Sequence, residues 1–430
     1  MKMCLAFLFP LVIFSTGIAQ IPLDVLMADV SLRDQVLWRG DTLMIFASSE
    51  QRKFGQPEFV LFPQERSYWA QLVAELPLDS LVKRYKTKGR LPSPGKIADQ
   101  PRPGAGFVDL DFPLRGWRIA IDPGHMAGAP AFAKEVEGKY VQMKACPETY
   151  GQPLSFYESE LTLATARILR DSLQRLGATV LLTRPRMGEG AHGLSFEQWK
   201  ATAFPDSLRQ AVKSGRMNPS QAIWWTDRAS DAMIFQSYYN RSDLRARVEM
   251  IRHFQPDLTL VIHYNVDLMN PEQKQDDGTF KPGLQNYSMA FVPGAFLPGE
   301  LSRVEDRVML LRLLISDDYR RSVQLCDAFI RYTELETGVP PVAANSALPY
   351  LAKFSRYAGR PGVFARNLSL TRQISGPICY GESLCQDARW EALRLNQRDL
   401  QVGDLRVSSR VAEVAAAYLW AVREFVGTQP

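Results

Sequence analysis

The sequence predicts an α/β fold: a mostly parallel twisted sheet with helices on both faces, preceded by a small β-rich domain. Short apolar segments alternate along the chain with longer segments of helical periodicity, which is typical of parallel strands joined by helices. The short segments are apolar throughout, as expected for strands buried on both faces. The length of 430 residues, with 46% hydrophobic and 23% charged residues, agrees with a globular protein of two or three domains.

Residues 1–19 have the pattern of a secretory signal peptide. Lys2 precedes an apolar run, CLAFLFPLVIF, and small residues follow as far as Ala19. The run is short for a membrane span, although an N-terminal anchor is the alternative. Cys4 starts the run instead of ending it, which argues against a lipoprotein anchor. We therefore expect an exported protein of the periplasm or cell envelope with no stable membrane anchor.

Charge and cysteine content limit the partners and the kind of metal site. The net charge is only +5, and no clustered basic stripe is present, so nucleic acid is not an expected partner. Four cysteines remain after residue 19, and none forms a CxxC pair, which disfavours a thiolate zinc cluster. Cys379 and Cys385 are close enough in sequence to pair, but buried free thiols are equally compatible with the pattern.

The first two units beyond the signal peptide are a small domain and a linker. Residues 20–86 contain VLWRGDTLMIFAS and PEFVLFPQERSYWAQLVAELP, which we interpret as short strands separated by turns. This β-rich unit could bind a polymer, dock on the main domain or simply pack, and packing is what we expect. Residues 87–115 are rich in proline, glycine and lysine, as in a linker.

Residues 116–430 contain the alternating strands and helices. In chain order the pattern predicts the following elements: strand 117–122, helix 158–177, strand 178–184, helix 242–254, strand 257–265, helix 322–338, strand 375–382 and helix 408–426. Segments at about 185–240 and 266–320 are longer than ordinary connections, and we interpret both as insertions over one face.

Two of the four histidines follow or end apolar strands, in DPGH at His125 and in VIHYN at His263. Ligands of open α/β sheets gather at the carboxyl ends of the strands, so this pair indicates a site at that edge. His192 lies in a glycine-rich loop and is expected to be solvated. His253 lies at a helix end, where interaction with the helix dipole is the simpler interpretation.

Two carboxylates complete the candidate site. Glu158 begins the predicted helix 158–177, and the helical register turns it towards the protein interior, whereas Glu160 is expected to face outwards. Glu382 ends a buried strand. Three protein ligands with an open position define a catalytic zinc site, and a further carboxylate can act there as an acid–base group.

These residues occur in a set of motifs that resembles the zinc-dependent N-acetylmuramoyl-L-alanine amidase family (amidase_3 type). The resemblance extends from about Trp117 to Phe425. The matching features are listed in chain order: IAIDPGH at 119–125, Glu158 with LTLA behind it, GATVLLTR at 177–184, Arg247 ten residues before Asp257, VIHYN at 261–265 and the strand-end Glu382.

The resemblance implies that His125, Glu158 and His263 bind Zn²⁺ and that Glu382 is the catalytic glutamate. It further implies hydrolysis of the amide between N-acetylmuramic acid and L-alanine in peptidoglycan. The chain departs from the family after His125, where Met126 and Ala127 replace two glycines. The stretch between His125 and Glu158 also contains Glu135, Glu137 and Glu148, which remain alternative ligands.

Two other functions remain open from the sequence. One is a non-catalytic peptidoglycan-binding or scaffold protein on an amidase fold, and the other is a zinc peptidase that cuts within the stem peptide. Some family members carry an inserted helix that blocks the zinc until an activator protein displaces it. We hypothesise that part of the segment 266–320, in which 305–321 has helical spacing, restrains access to the site here, with an activator protein as partner. Arg366 is expected to face the cleft.

Overall fold

The computed structural model describes residues 23–87, 111–267 and 274–429. The predicted signal peptide at 1–19 and most of the predicted linker at 87–115 lie outside these residues.

The central feature is a seven-stranded, mostly parallel sheet, which confirms the predicted fold class. Its strand order is β10-β11-β9-β12-β8-β4-β7, and four of its six strand pairs are parallel. Across the described residues the strands, including those of smaller sheets, are β1 Val36–Arg39, β2 Thr42–Ile45, β3 Phe59–Leu61, β4 Arg118–Pro123, β5 Tyr140–Met143, β6 Leu154–Tyr157, β7 Thr179–Leu182, β8 Leu258–Asn265, β9 Met289–Pro293, β10 Ser355–Arg360, β11 Val363–Arg366, β12 Ile378–Cys385, β13 Leu400–Val402 and β14 Leu405–Val407.

Helices cover both faces of this sheet, as predicted. Ile119 and Ile121 of β4 belong to the main core, whereas Ala120 between them packs with Val248 and Ile251 on the opposite face. The α-helices of the described residues are α1 Leu23–Leu26, α2 Ser49–Lys53, α3 Arg66–Glu75, α4 Leu78–Lys86, α5 Pro130–Phe132, α6 Glu158–Arg175, α7 Phe196–Ala201, α8 Ala203–Lys213, α9 Pro219–Asp227, α10 Asp231–Ile234, α11 Asn240–Phe254, α12 Val304–Ile315, α13 Asp318–Thr337, α14 Pro349–Phe354, α15 Ser369–Gln373, α16 Arg389–Leu395 and α17 Arg410–Gly427.

The N-terminal unit contains the expected short strands but is less β-rich than predicted. Strands β1, β2 and β3 form an antiparallel sheet. The segment expected to continue as strands is instead helix α3. Trp69, Leu72 and Val73 are buried on one side of that helix. These residues are spaced three and four apart, which puts them on one face of a helix, so the segment forms a helix and not strands.

This unit packs against the main sheet at the edge where β8 and β12 begin. Ser375, which precedes β12, donates a hydrogen bond to the Val73 carbonyl (3.0 Å), and Arg252, shortly before β8, donates one to the Leu76 carbonyl. Leu26 and Trp69 belong to the same hydrophobic core as the strands of the sheet. The N-terminal unit therefore shares the main core and lies at the edge opposite the carboxyl ends of β8 and β12.

The second segment expected as an insertion over one face is part of the core of the fold. Its strand β9 lies between β11 and β12 in the sheet. Helix α12, which was expected to be the lid, is buried from Asp306 to Ile315 and contacts α3 and α4. The lid prediction for this helix is therefore wrong, because it fills the space between the N-terminal unit and the sheet.

The first of these segments, 185–240, folds into short helices around an aromatic cluster. Phe196, Trp199, Phe204 and Tyr239 form this cluster with Met126, the residue that follows His125. The segment therefore packs beside the loop after β4.

Within the described residues, no helix is both long enough and apolar enough to cross a membrane.

Trp69→Ala tests whether the N-terminal unit and the sheet share one core. Trp69 is 1% exposed and packs edge-on against Phe59, with ring centroids 4.9 Å apart. We expect the free energy of unfolding to fall by about 3–5 kcal/mol in a single transition, measured by denaturant unfolding. Trp390→Ala is the matched control because Trp390 is 60% exposed. Two separate transitions, with only one shifted, would contradict a shared core.

Candidate metal centre

Three neighbouring strands bring the predicted site residues to one edge of the sheet. β4 and β12 both pair with β8, with Pro123 opposite Ile262 and Glu382 opposite His263. His125 follows the end of β4 by two residues. The carboxyl ends of these parallel strands thus place both histidines and Glu382 together, as the sequence predicted.

Glu158 joins this cluster from the first turn of helix α6. Its side chain is 1% exposed. One carboxylate oxygen, Oε1, contacts His263 Nδ1 (3.0 Å) and accepts a hydrogen bond from the Tyr264 N–H (3.0 Å). The other oxygen, Oε2, lies 3.2 Å from His125 Nε2. Nitrogen or oxygen atoms of His125, Glu158 and His263 all lie within 4.8 Å of one another.

The loop that carries His125 is held in an unfavourable backbone conformation. His125 has φ 59°, in the left-handed region, which costs about 1–3 kcal/mol for a residue other than glycine. Arg247 donates to the carbonyls of Pro123 (2.8 Å) and His125 (3.3 Å). Arg184 Nη2 and the Thr162 hydroxyl donate to the Gly124 carbonyl (3.2 and 2.7 Å). These buried donors fix the direction in which the His125 side chain leaves the loop.

Arg247 is fixed in turn by two buried carboxylates. It pairs with Asp122 at 2.8 Å and with Asp243 at 2.7 Å, and all three side chains are at most 6% exposed. Burial alone would lower the pKa of Arg247, but the charges of Asp122 and Asp243 outweigh burial and raise the pKa above its usual value. The guanidinium therefore stays charged, and its position is set from both sides.

The ring of His263 is held between a glycine and an aromatic ring. A Cβ on Gly124 would lie 2.2–2.6 Å from atoms of the His263 ring, so only glycine fits there. On His263, Tyr380 stacks with ring centroids 4.6 Å apart and an interplanar angle of 7°. Tyr380 lies two residues before Glu382 on β12, and strand alternation turns both side chains to the same face.

Charge and burial set the protonation of the three residues. Burial lowers the pKa of His263 to about 4, so its imidazole is neutral at physiological pH. Burial alone raises the pKa of Glu158, but the charges of His125 and Lys139 outweigh it and hold the pKa well below the usual range. Burial also opposes protonation of His125, but Glu158 and Glu137 outweigh it and raise its pKa. Without a metal, the centre therefore holds an ionised Glu158 beside a neutral His263 and a His125 whose protonated form is favoured.

Glu382 lies beside this cluster without joining it. The strand does not end at Glu382 as predicted but continues to Cys385, with an irregularity in the pairing between the two residues. Such irregularities redirect side chains near active sites. Burial and the charge of Glu158 raise the pKa of the Glu382 carboxyl to about 7. Its proton is therefore exchangeable near neutral pH.

The donor set fits a divalent metal ion such as Zn²⁺. Two imidazoles and one carboxylate match the ligands of catalytic zinc sites, which leave a position open. His125 Nε2 is buried, and its contact with Glu158 Oε2 at 3.2 Å does not have hydrogen-bond geometry. A cation bound between these two atoms would satisfy both.

The other acidic residues near the cluster do not belong to the ligand set. Glu160 does not face outwards: it is 5% exposed and forms a bidentate ion pair with Arg398 at 2.8 Å. The alternative ligands Glu135 and Glu148 are exposed. Glu137 is buried beside His125 but outside the three-residue cluster.

The remaining sequence expectations met different outcomes. His192 is not solvated, because both its ring nitrogens are buried without hydrogen-bond partners among the described residues, and its ring packs on Tyr239. His253 is exposed in the last turn of α11. Arg366 packs over the rings of Phe291 and Tyr350 and acts electrostatically on Glu382. Cys146, Cys326, Cys379 and Cys385 are free, so the local pair of Cys379 with Cys385 is not formed.

Sequence reasoning missed Lys139, Tyr380 and Gln386. Lys139 Nζ lies 3.7 Å from Glu158 Oε2, and Gln386 donates to the same oxygen (3.3 Å). The alternation along β12 could have identified Tyr380. Lys139 and Gln386 lie in turns, where no periodicity marks a functional side chain.

Comparisons with known proteins give likeness only at the level of structure. No protein-family model matches the chain, and no curated protein matches it. The solved structures that align with it include the CwlD amidase of Clostridioides difficile in complex with the GerS lipoprotein, at 12% identity and TM-score 0.37, covering 73% of this chain and all of that one. The N-acetylmuramyl-L-alanine amidase Ami1 of Mycobacterium smegmatis aligns at 13% identity and TM-score 0.37, covering 74% of this chain and 99% of that one.

A third aligned structure is the catalytic domain of the N-acetylmuramoyl-L-alanine amidase CwlV from Bacillus (Paenibacillus) polymyxa var. colistinus. It has 13% identity and a TM-score of 0.36, and the alignment covers 73% of this chain and 99% of that one. Values this low do not establish an activity for the chain, so function is argued from the site itself.

Gly124→Ala tests the packing of His263. The added methyl group would overlap the imidazole ring and displace it from the cluster. We expect zinc affinity to fall about 10- to 100-fold, the range seen when groups that orient a metal ligand are altered. Chelator competition measures it. Gly427→Ala is the control, because a Cβ there meets nothing within 4 Å. Equal zinc affinity in the two variants would contradict the proposed packing.

Arg247→Met tests the anchoring of the loop after β4. The substitution leaves Asp122 and Asp243 buried without their cation, so the free energy of unfolding should fall by about 3–5 kcal/mol. Thermal and denaturant unfolding measure the loss. Arg245→Met, two residues earlier on α11, is the comparison on the same helix. An unchanged stability in Arg247→Met would show that the loop is held by other contacts.

Proposed function

We propose that the chain is a zinc-dependent N-acetylmuramoyl-L-alanine amidase that hydrolyses the amide between N-acetylmuramic acid and L-alanine in peptidoglycan. The observation that carries this proposal is the cluster of His125, Glu158 and His263 with Glu382 beside it on the adjacent strand. The cluster supports metal-assisted hydrolysis, and the resemblance of its motifs to the amidase family supplies the substrate.

His125, Glu158 and His263 would hold the zinc ion. Bound there, Zn²⁺ would supply a Lewis acid that polarises the scissile carbonyl and favours attack by water. Glu158 also binds the Tyr264 N–H through the oxygen that contacts His263, so its carboxylate is already oriented. This preorganisation reduces the reordering that substrate binding would otherwise require.

Glu382 would move the proton in this reaction. Its carboxylate takes a proton from the attacking water and gives it to the departing amine of L-alanine. A general acid–base group works best when its pKa lies near the operating pH, and the pKa of Glu382 is raised to about 7 by burial and by Glu158. Lys139 and Arg366 limit this rise by their positive charge. A bound metal ion would lower the pKa further and favour the base form.

The proposed substrate is consistent with export. Peptidoglycan lies outside the cytoplasmic membrane, and the signal peptide predicted at residues 1–19 would deliver the protein there. Peptidoglycan is the proposed partner. An activator protein stays a prediction, although helix α12 is not the lid that it would displace.

The experiment is mass spectrometry of peptidoglycan fragments after incubation of purified sacculi with the mature protein. We expect release of intact stem peptides with free L-alanine amino termini, abolished by a zinc chelator and restored by Zn²⁺. Ends within the stem peptide would instead indicate a zinc peptidase. Binding to sacculi without any release would support the scaffold alternative.

Glu382→Gln separates proton transfer from metal binding. The isosteric amide cannot accept the proton, so hydrolysis should fall about 100- to 10,000-fold while zinc remains bound stoichiometrically. The control Glu391→Gln changes a buried glutamate that pairs with Arg410, away from the metal cluster; it reports the cost of losing a buried carboxylate by itself. Full activity in Glu382→Gln would remove Glu382 from the mechanism.

A further inference from the structure

A short turn before strand β5 presents Glu137 to the loop that carries His125. Residues Ala133–Glu137 form a single wide helical turn, which Gly138 ends in a left-handed conformation with φ 74°. The turn is closed by a hydrogen bond from the Lys139 N–H to the Ala133 carbonyl (2.8 Å). It places Glu137 on one side of the metal cluster and Lys139 on another.

The Glu137 carboxylate binds this loop through both oxygens. Oε1 accepts a hydrogen bond from the Met126 N–H (2.8 Å), and Oε2 accepts one from the Ala127 N–H (3.1 Å). The side chain is 4% exposed. A carboxylate so buried needs partners, and these two N–H groups follow directly after His125 in the chain.

The same carboxylate faces one nitrogen of the His125 ring. Glu137 Oε1 lies 3.5 Å from Nδ1, while Nε2, across the ring, faces Glu158. Because Glu137 also holds the Met126 and Ala127 N–H groups, its contact with Nδ1 sets the orientation of the ring and turns Nε2 towards the cluster. Histidines that bind metals commonly donate their second ring N–H to a carboxylate in this way.

Glu137 is not placed to bind the metal itself. Its oxygens lie on the Nδ1 side of His125, and it falls outside the group of ligand atoms that lie within 4.8 Å of one another. Its effect on the centre acts through the orientation of the His125 ring.

We propose that Glu137 is a positioning residue that fixes the ring of His125, with Nδ1 facing Glu137 and Nε2 directed at the metal. The proposal rests on the proposed function in that the metal is taken to be Zn²⁺. It adds to that function a residue, Glu137, that is not a metal ligand but raises the affinity of the site for the metal.

The test compares Glu137→Gln with Glu135→Gln, a matched change in the same turn at an exposed position. Zinc affinity is measured by chelator competition on the full mature chain. We expect Glu137→Gln to weaken zinc binding about 10- to 100-fold and Glu135→Gln to change it less than twofold. Glu137→Asp keeps the charge on a shorter side chain and should retain more affinity than the glutamine variant.

A second measurement reads the ring directly. The chain has only four histidines, so ¹⁵N-histidine labelling allows the ring nitrogens of His125 to be assigned by substitution and followed by NMR. In the metal-free protein we expect the ring signals of His125 to shift in Glu137→Gln, because the ring loses its contact with the carboxylate, and to stay in place in Glu135→Gln. The signals of His253, which is exposed on α11, should stay in place.

The outcomes separate this inference from the proposed function. Unchanged zinc affinity and unchanged His125 signals in Glu137→Gln would overturn the inference and leave the proposed function standing. Failure of the wild type to bind zinc would overturn the proposed function, and the metal-free NMR signals would then decide whether Glu137 fixes the ring. Loss of zinc together with a lowered melting temperature and shifted signals of all four histidines would indicate general unfolding and would also overturn the inference.

Discussion

The candidate metal centre depends on one constraint, which is that the chain must turn sharply after β4 with His125 in a left-handed conformation. No regular ladder can satisfy the carbonyls of such a turn. Arg247 on α11, Thr162 on α6 and Arg184 just after β7 donate to them instead, although all three are distant in the sequence. The two arginines can be buried close to each other because Asp122 and Asp243 neutralise Arg247. Arg184 forms no such ion pair with any described residue, and burial and the charge of Arg247 lower its pKa to about 10.

The centre also concentrates negative charge in a buried place. Glu158 and Glu382 interact electrostatically within one cleft, and the cost appears in the raised pKa of Glu382. Two like charges at a dry site are stabilised by a cation, and Lys139 supplies one at the edge of the cluster. A divalent ion would do so more strongly, because it would bind the carboxylate and both imidazoles together. A bound cation would satisfy both the buried His125 Nε2 and the charge of Glu158.

The rest of the molecule packs against the sheet behind and beside the edge that carries the metal centre. The N-terminal unit, helix α12 and the starts of β8 and β12 pack at the opposite end of the sheet. The aromatic cluster of residues 196–239 reaches Met126 and therefore supports the loop from its side. Rigid packing at both places fixes the strands that carry the site, which is the usual way in which a sheet holds polar groups in a set geometry.

The sequence by itself predicted four of the seven strands of the main sheet, the principal helices and the candidate residues of the centre. Period and apolar content are local properties, so β4, α6, β8, α11, β12 and α17 could be predicted, and His125, Glu158 and His263 could be placed at their ends. Only the tertiary structure decided that β9 enters the middle of the sheet and that α12 is buried. An apolar helix has the same sequence pattern whether it packs in a core or covers a site. Which of the two it does depends on residues distant in the sequence. The roles of Glu137, Lys139 and Tyr380 were decided there too, because a side chain in a turn or a strand acquires its role from the neighbours that folding brings to it.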